Sequence, residues 1–462
     1  MSVTEKTVED VDLLMVGGGK AGKTLAMDIA RAGGRVVMVE RSMIGGTCIN
    51  VACIPTKTLV TSARLARRAA SADSLGLQLG TPVIDLGLLR AHKEGVVSDM
   101  VQLNLRQFLD SGMDFVLGTA RFVAERTVEI EVIDGSRRVV RGADVVINTG
   151  TTPHIAAIPG LAEAKPLTSE SIMDLRRIPE RLIVLGGGYV GLEFAHMFAA
   201  FGSQVTVLER GTQLLPHEDR DIATALTTYL QEDGVELITD AAVEKVLRER
   251  DTVNVLLRDG RTLTADDVLA ATGRDPATPG LGLDTAGVHT DDRGFVRVDD
   301  RLATHAPHTW AVGDVAGSPQ FTHVSLDDYR IVKANINGGN RTTVGRLVPW
   351  NLFTDPELAR VGLTEEQARA TGRAIRVAKL PVKAIPRART LRDTRGLWKA
   401  VVDRDSEQIL GVALLGPESA EVLSVVQTAM WAQMPFTRLR DGMIAHPTMA
   451  EGLNALFASW TD

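Results

Sequence analysis

At 462 residues the chain is about three times the length of one ordinary hydrophobic core, which predicts two or three domains. Its 44% hydrophobic and 24% charged residues exclude a disordered protein, and the net charge of −7 argues against nucleic acid or an anionic membrane as partner, since both need concentrated positive charge. The polar, acidic start MSVTEKTVEDVD lacks the regions of a signal peptide and no apolar run of about 18 residues follows, so the expectation is a cytoplasmic protein working on a small molecule.

From Asp12 the chain reads DLLMVGGGKAGKTLAMDIARAGGRVVMVE: an apolar strand, then Gly17, Gly19 and Gly22, a helix-period segment, and a second strand ending at Glu40. This is the dinucleotide-binding pattern, in which glycines bring the backbone close to a pyrophosphate, the helix N-terminus offers free N–H groups, and the acid binds a ribose hydroxyl. One copy is weak evidence, because a tight turn before a helix needs the same glycines with no ligand. The pattern returns in RLIVLGGGYVGLEFAHMFAAFGSQVTVLE, where Gly186, Gly188, Gly191, Ala195, Gly202 and Glu209 repeat Gly17, Gly19, Gly22, Ala26, Gly33 and Glu40 at one constant offset. Each copy continues similarly: TVEIEVIDG (127–135) and TVNVLLRDG (252–260) are alternating strands closed by an Asp-Gly turn. The apolar strands that follow end at Thr149-Gly150 and Thr272-Gly273, so each nucleotide unit is expected to carry a small β-meander.

Two Rossmann-like units imply two dinucleotides. Cys48 and Cys53, the only cysteines, lie together in GGTCINVACIPTK, whereas a disulfide scaffold or a structural zinc site would need more. Two adjacent thiols beside two dinucleotide sites suggest one tightly held FAD, in the first unit contiguous with the cysteines, and one exchangeable nicotinamide in the second. Glu209 suits an adenosine 2′-hydroxyl and repels a 2′-phosphate, which favours NADH over NADPH, while Arg210 next to it softens that preference. In a regular helix two positions five apart are separated by about 7.5 Å along the axis and roughly 140° around it. A disulfide needs Cα atoms closer than about 7 Å, so the helix start is predicted to be distorted or non-helical around Cys48, with Pro55 limiting how a helix begins. On spacing alone, two core thiols that never pair remain an alternative.

GGTCINVACIPTK is similar to the active-site segment of the class I pyridine nucleotide-disulfide oxidoreductases, the family of dihydrolipoamide dehydrogenase, glutathione reductase and mercuric reductase. The resemblance covers essentially the whole chain and continues through the second glycine loop, TWAVGDVAG around Asp314, and HPTMAE near the end. Within the family the chain resembles most the reactive-chlorine-resistance flavoproteins, on GGGKAGKTLA, SLDDYRIV (325–332), LPVKAIPRAR (380–389) and DTRG (393–396).

The resemblance implies roles. Cys48 becomes the interchange thiol that meets substrate, and Cys53 the thiol that contacts flavin. Lys57 stands near the reactive flavin nitrogen with Glu193 as its ion-pair partner, and Tyr189 covers the flavin until nicotinamide displaces it. Asp314 holds the ribityl and phosphate region of FAD, Glu40 its adenosine ribose, and Thr47 and Ala120 line the site. Val243 and Gly273 give backbone contacts to the nicotinamide. His446, oriented by Glu451, exchanges a proton with the interchange thiol across a homodimer whose active site is shared. Without the resemblance, a solvated surface lysine is the lesser alternative for Lys57, whereas His446-Pro447 reads more often as a turn than as a catalytic element.

The expected fold class is α/β: two Rossmann-like FAD/NAD(P)-binding domains, each with a β-meander, and a C-terminal α+β dimerisation domain. The FAD-binding domain is expected at 1–152 and 278–346, the NAD(P)-binding domain at 153–277 and the interface domain at 347–462. In the last, LPVKAI, WKAVVD and QILGVALLG are predicted as an antiparallel sheet, with helices around 419–434 and 436–444. The subgroup implies hypohalous or hypothiocyanous oxidants, or metal ions such as Cu(II), as substrate. Lipoamide is the runner-up. Hg(II) fits less well, because the chain ends FASWTD without the additional cysteine pair of mercuric reductases. Lys383, Arg387 and Arg389 either attract an anionic substrate or form a solvated basic face. A non-catalytic flavin redox sensor is the reading from a different class; it would need neither Cys53 nor His446.

Overall fold

The computed structural model describes residues 8–80 and 82–461; the first seven residues of the acidic start lie outside them. The chain divides into two compact units. One comprises the chain up to Thr58, Ala91–His154 and Gly273–Arg346; the other comprises Leu59–Arg90, Ile155–Thr272 and Leu347–Asp462.

In the first unit a parallel sheet runs in the order Asp114–Ala124, Val36–Glu40, Val8–Val16, Arg137–Ile147, Thr309–Ala311. The strand Thr127–Val132 pairs antiparallel with the long strands Asp114–Ala124 and Arg137–Ile147, which makes the meander an outgrowth of the parallel sheet. Both sheet faces are covered, and each carries its own core: Leu14, Val37, Ile130 and Ile147 on one side, Leu13, Met15, Leu25 and Phe108 on the other. That is why these strands read as continuous apolar runs and not as alternation.

The second unit repeats the plan, with Val235–Ile238, Gln204–Leu208, Arg181–Leu185 and Asp267–Ala270 in the same parallel order. The repeat holds at the level of register. Leu13 pairs with Val36 in the first sheet and Leu182 with Val205 in the second, and Gly17 N–H and Gly186 N–H bond the Val39 and Leu208 carbonyls at 2.8 and 2.9 Å. The meander of this copy is a separate antiparallel sheet, Val243–Glu249, Thr252–Leu257 and Thr262–Ala265.

The same unit holds a five-stranded antiparallel sheet in the order Trp350–Leu352, Glu357–Gly362, Ile409–Gly416, Leu397–Asp403, Ile375–Pro381. Its core is built around Trp398, which is fully buried. Two expectations need correction here. LPVKAI is strand only to Pro381, and Val382–Ala384 is a single 3-10 turn leading to Pro386 at the head of a short helix. Pro381 has no N–H for the ladder and Pro386 suits a first helical position, so the chain turns between them. The two following helices are also shorter than predicted, Ser419–Trp431 and Phe436–Asp441; Gln433, at φ 50°, closes the first and Pro435 opens the second.

Candidate active site

In the first unit the glycine loop runs from the strand Val8–Val16 into the helix Lys20–Arg31, whose N-cap, Gly19, carries no side-chain cap. Gly17 has φ 102°, and a Cβ there would overlap the Asn148 carbonyl. Glu40 accepts from Gly18 N–H at 2.8 Å and from the N–H groups of Ser42 and Met43 at 3.0 Å each. Its two oxygens offer about four acceptor sites, so capacity remains for a ribose hydroxyl. The second loop is the same device: Glu209 accepts from Gly187 N–H at 2.8 Å and Gly211 N–H at 2.7 Å. Gly188 is the uncapped N-cap of the helix Tyr189–Ala200, and a Cβ on it would meet nothing within 4 Å, which leaves the approach to the helix N-terminus open. Gly191 has the opposite constraint, since a Cβ there would overlap the Gly186 carbonyl. Gly191→Ala is expected to destabilise this unit by about 1–3 kcal/mol and to weaken nucleotide binding, read by denaturant unfolding and by NADH titration.

The cysteines sit where the regular helix fails. Thr47–Asn50 is a single helical turn, Val51 departs from helical geometry at φ −142° and ψ 15°, and the long helix begins at Cys53. The break supplies the distortion that five-residue spacing required, and Pro55 falls in the first turn, where its missing N–H costs nothing. Cys48 and Cys53 are both thiols in this structure. The Cys48 thiol is pushed up first by its hydrogen bond with Cys53 and then by burial, while Thr322 and Lys23 pull it down. Cys53 Sγ lies 3.5 Å from Thr322 Oγ1.

Further polar residues of this unit belong to the same set. Asp314 is half-buried, burial raises its carboxyl, and its Oδ2 accepts from Thr151 Oγ1 at 2.8 Å. Thr151 is held in turn by Arg274 Nε at 2.7 Å. The Thr149 hydroxyl is buried and has no hydrogen-bond partner among the described residues, a donor left for a ligand. Open glycine backbone, an uncapped helix N-terminus, an acid at the strand end and an orphaned hydroxyl together fit FAD.

Of the other expected site residues, Lys57 stands one turn beyond Cys53 in its helix, and Thr47 opens the single turn that carries Cys48. Ala120 is buried in the β-ladder opposite Ile130. Gly273, at φ 126°, bonds through its carbonyl to His154 N–H at 3.0 Å. In the second unit, Tyr189 packs edge-on to Trp350 with ring centres 4.8 Å apart, Glu193 is buried and accepts from Phe353 N–H at 2.9 Å, and Val243 begins its strand. His446 Nδ1 lies 2.8 Å from Glu451 Oε2, with the imidazole exposed and the carboxylate mostly covered.

The sequence matches the family model for pyridine nucleotide-disulphide oxidoreductases over residues 11–328 and the dimerisation domain of the same family over residues 348–456. The chain belongs to this family. It is 42% identical over 451 residues to the Escherichia coli (strain K12) protein described as "Probable pyridine nucleotide-disulfide oxidoreductase RclA", covering 96% of this chain and 98% of that one. A mercuric reductase of Staphylococcus aureus is 34% identical over 96% of this chain and 81% of its own length. Among solved structures, the Cu(II) complex of the HOCl-induced flavoprotein disulfide reductase RclA from Escherichia coli superposes with a TM-score of 0.90 at 41% identity, over 97% of this chain and 99% of that one. As a pyridine nucleotide-disulfide oxidoreductase the chain is an enzyme of a FAD-dependent family whose electron donor is a pyridine nucleotide. No helix among the described residues is long and apolar enough to cross a membrane.

Several residues of this oxidoreductase escape the motif reading. Asn148 Oδ1 accepts from Gly22 N–H at 2.9 Å while its Nδ2 donates to the Val312 carbonyl at 2.8 Å, tying the glycine loop to the segment that presents Asp314. Ser325 Oγ accepts from Ala21 N–H at 3.2 Å. Asp328, fully buried, accepts from Gly313 N–H at 2.8 Å and from Arg346 at 2.6 Å. The segment SLDDYRIV thus supports the cradle from beneath.

Proposed function

We propose that this chain is a FAD-dependent reductase that takes electrons from NADH in preference to NADPH and delivers them through Cys48 and Cys53 to a thiol-reactive oxidant of the hypohalous or hypothiocyanous type, or to a metal ion such as Cu(II). Residues 1–152 and 278–346 serve as the FAD-binding domain, 153–277 as the NAD(P)-binding domain and 347–462 as the dimer interface. The observation that carries this reading is the contact between the two thiols beside the glycine cradle, in a chain that matches RclA along almost its whole length.

Bound FAD would supply the two-electron chemistry that links a nicotinamide hydride to a disulfide. Gly17, Gly19, Gly22, Glu40, Thr47, Lys57, Ala120 and Asp314 are its assigned site. Gly186, Gly188, Tyr189, Gly191, Glu193, Glu209, Val243 and Gly273 are assigned to the nicotinamide nucleotide, with the Glu209 carboxylate repelling a 2′-phosphate. Cys48 thiolate attacks the electrophilic atom of the oxidant, and a proton from His446 lets hydroxide leave as water. Cys53 then displaces the bound fragment and restores the disulfide. His446 and Glu451 act from the second chain of a homodimer, and the protein works in the cytoplasm.

The test is anaerobic stopped-flow. The enzyme is reduced with NADH or NADPH, then mixed separately with hypothiocyanite, Cu(II), Hg(II), lipoamide and oxidised glutathione, while flavin reoxidation is followed. Faster reduction by NADH and fast reoxidation by hypothiocyanite or Cu(II) are expected. Fast reoxidation by lipoamide moves the chain to the dehydrogenase branch, by Hg(II) alone to the mercuric branch, and silence with every acceptor favours a redox sensor.

A further inference from the structure

Lys23 has no part in the chemistry above. It belongs to GGGKAGKTLA and stands in the helix Lys20–Arg31 with 5% of its surface exposed. Its Nζ donates to the Gly45 carbonyl at 2.9 Å and to Asn104 Oδ1 at 2.7 Å, and it forms no ion pair among the described residues. A buried ammonium is costly unless an anion balances it, and two neutral oxygens supply hydrogen bonds but no counter-charge. The group of opposite sign that acts on it is the ionised Cys48, and each favours the charged form of the other.

The contacts also locate what Lys23 holds. Gly45 and Gly46, at φ 89° and 82°, form the turn that presents Cys48. A Cβ on Gly45 would lie 3.3 Å from Asn104 Cγ, so Asn104, from the helix Leu86–Ser111, packs directly on that turn. Asn50 Nδ2 grips it from the other side through the carbonyls of Ile44 and Gly46, both at 2.9 Å.

We propose that Lys23 is a positioning residue for the interchange sulfur: its buried ammonium clamps the turn that presents Cys48 and serves as the counter-charge of the Cys48 thiolate. This rests on the assignment of Cys48 as the interchange thiol. The other groups that face the pair are Lys20 on the same helix, which adds positive charge, Cys53 at the head of the next helix, which shares the proton, and Thr322 of the helix Thr322–Ile336, whose hydroxyl favours the anion. Burial lowers the Lys23 ammonium to about 8, so the counter-charge fades as pH rises through that value.

The experiment is the pH dependence of Cys48 alkylation by iodoacetamide in the FAD-loaded enzyme, reduced with dithiothreitol and freed of it, with the labelled cysteine mapped by peptide mass. Lys23→Met is expected to raise the midpoint by about one pH unit and slow labelling of Cys48 at pH 7 about tenfold. Asn104→Asp keeps the lysine but sets a carboxylate against it, cancelling its field, and is expected to act in the same direction. It decides the matter if Lys23→Met does not fold. Unchanged midpoints overturn the proposal, as does loss of FAD with an unchanged midpoint, which makes Lys23 a ligand of the cofactor diphosphate. Labelling of Cys53 ahead of Cys48 in the unsubstituted enzyme overturns the assignment beneath it, and the proposal with it; the labelled peptide tells the two failures apart.

Discussion

Cys48→Ser is expected to lower the rate of oxidant reduction by about 10³-fold or more while leaving slow oxidation of NADH by oxygen through the flavin. The prediction follows from the break in the helix at Val51, which brings Cys48 against Cys53. A serine hydroxyl fits the space but is neither a nucleophile of comparable strength near neutral pH nor able to form the disulfide. Because the glycine loops and their acids are untouched, FAD content and NADH binding should be unchanged. The checks are steady-state turnover with hypothiocyanite, the flavin spectrum, and reduction of the flavin by NADH in a stopped-flow instrument. Full activity of the variant on the oxidant would place the chemistry elsewhere on the molecule.

What the sequence disclosed about this site depended on how local its cause was. The glycine loops were legible because each glycine answers a constraint set by its own backbone: a Cβ at Gly22 or Gly191 would strike the loop that precedes it, and the acids bond the loop within the same strand-turn-helix segment. The constant offset between the copies turned two weak matches into one strong statement, and the strand registers repeat it. The roles of Asn148 and Ser325 were not legible, since their partners come from distant sequence: Asn148 meets Gly22 across 126 positions and Ser325 meets Ala21 across 304. An asparagine or serine carries no pattern that announces such a contact. Lys23 was visible only as a letter in a subgroup motif, because its burial depends on Asn104 arriving from another helix. The strand predicted over LPVKAI failed for a different reason. Apolar character persists through Val382 and Ile385, but two prolines decide where the ladder ends.

His446→Ala is expected to reduce oxidant turnover about 100-fold while leaving flavin reduction by NADH unaffected. An exposed histidine is ordinarily a solvated one, yet this imidazole is held through Nδ1 by Glu451 at 2.8 Å, and the carboxylate is itself mostly covered, with Oε1 buried and without a hydrogen-bond partner among the described residues. A carboxylate on Nδ1 favours the tautomer that carries the proton there and leaves Nε2 able to exchange one. Glu451→Gln should therefore cost less than His446→Ala, about tenfold, since the ring survives but loses its orienting charge. Three residues before the histidine, Met443 is fully exposed, apolar surface that a second chain would cover. A shared site makes a sharper prediction. Hybrid dimers of Cys48→Ser and His446→Ala chains regenerate one intact site each, so an equal mixture should recover about a quarter of the wild-type activity from two nearly dead parents. If the histidine served the cysteines of its own chain, every site in the hybrid would lack one partner, and verified hybrids would recover nothing.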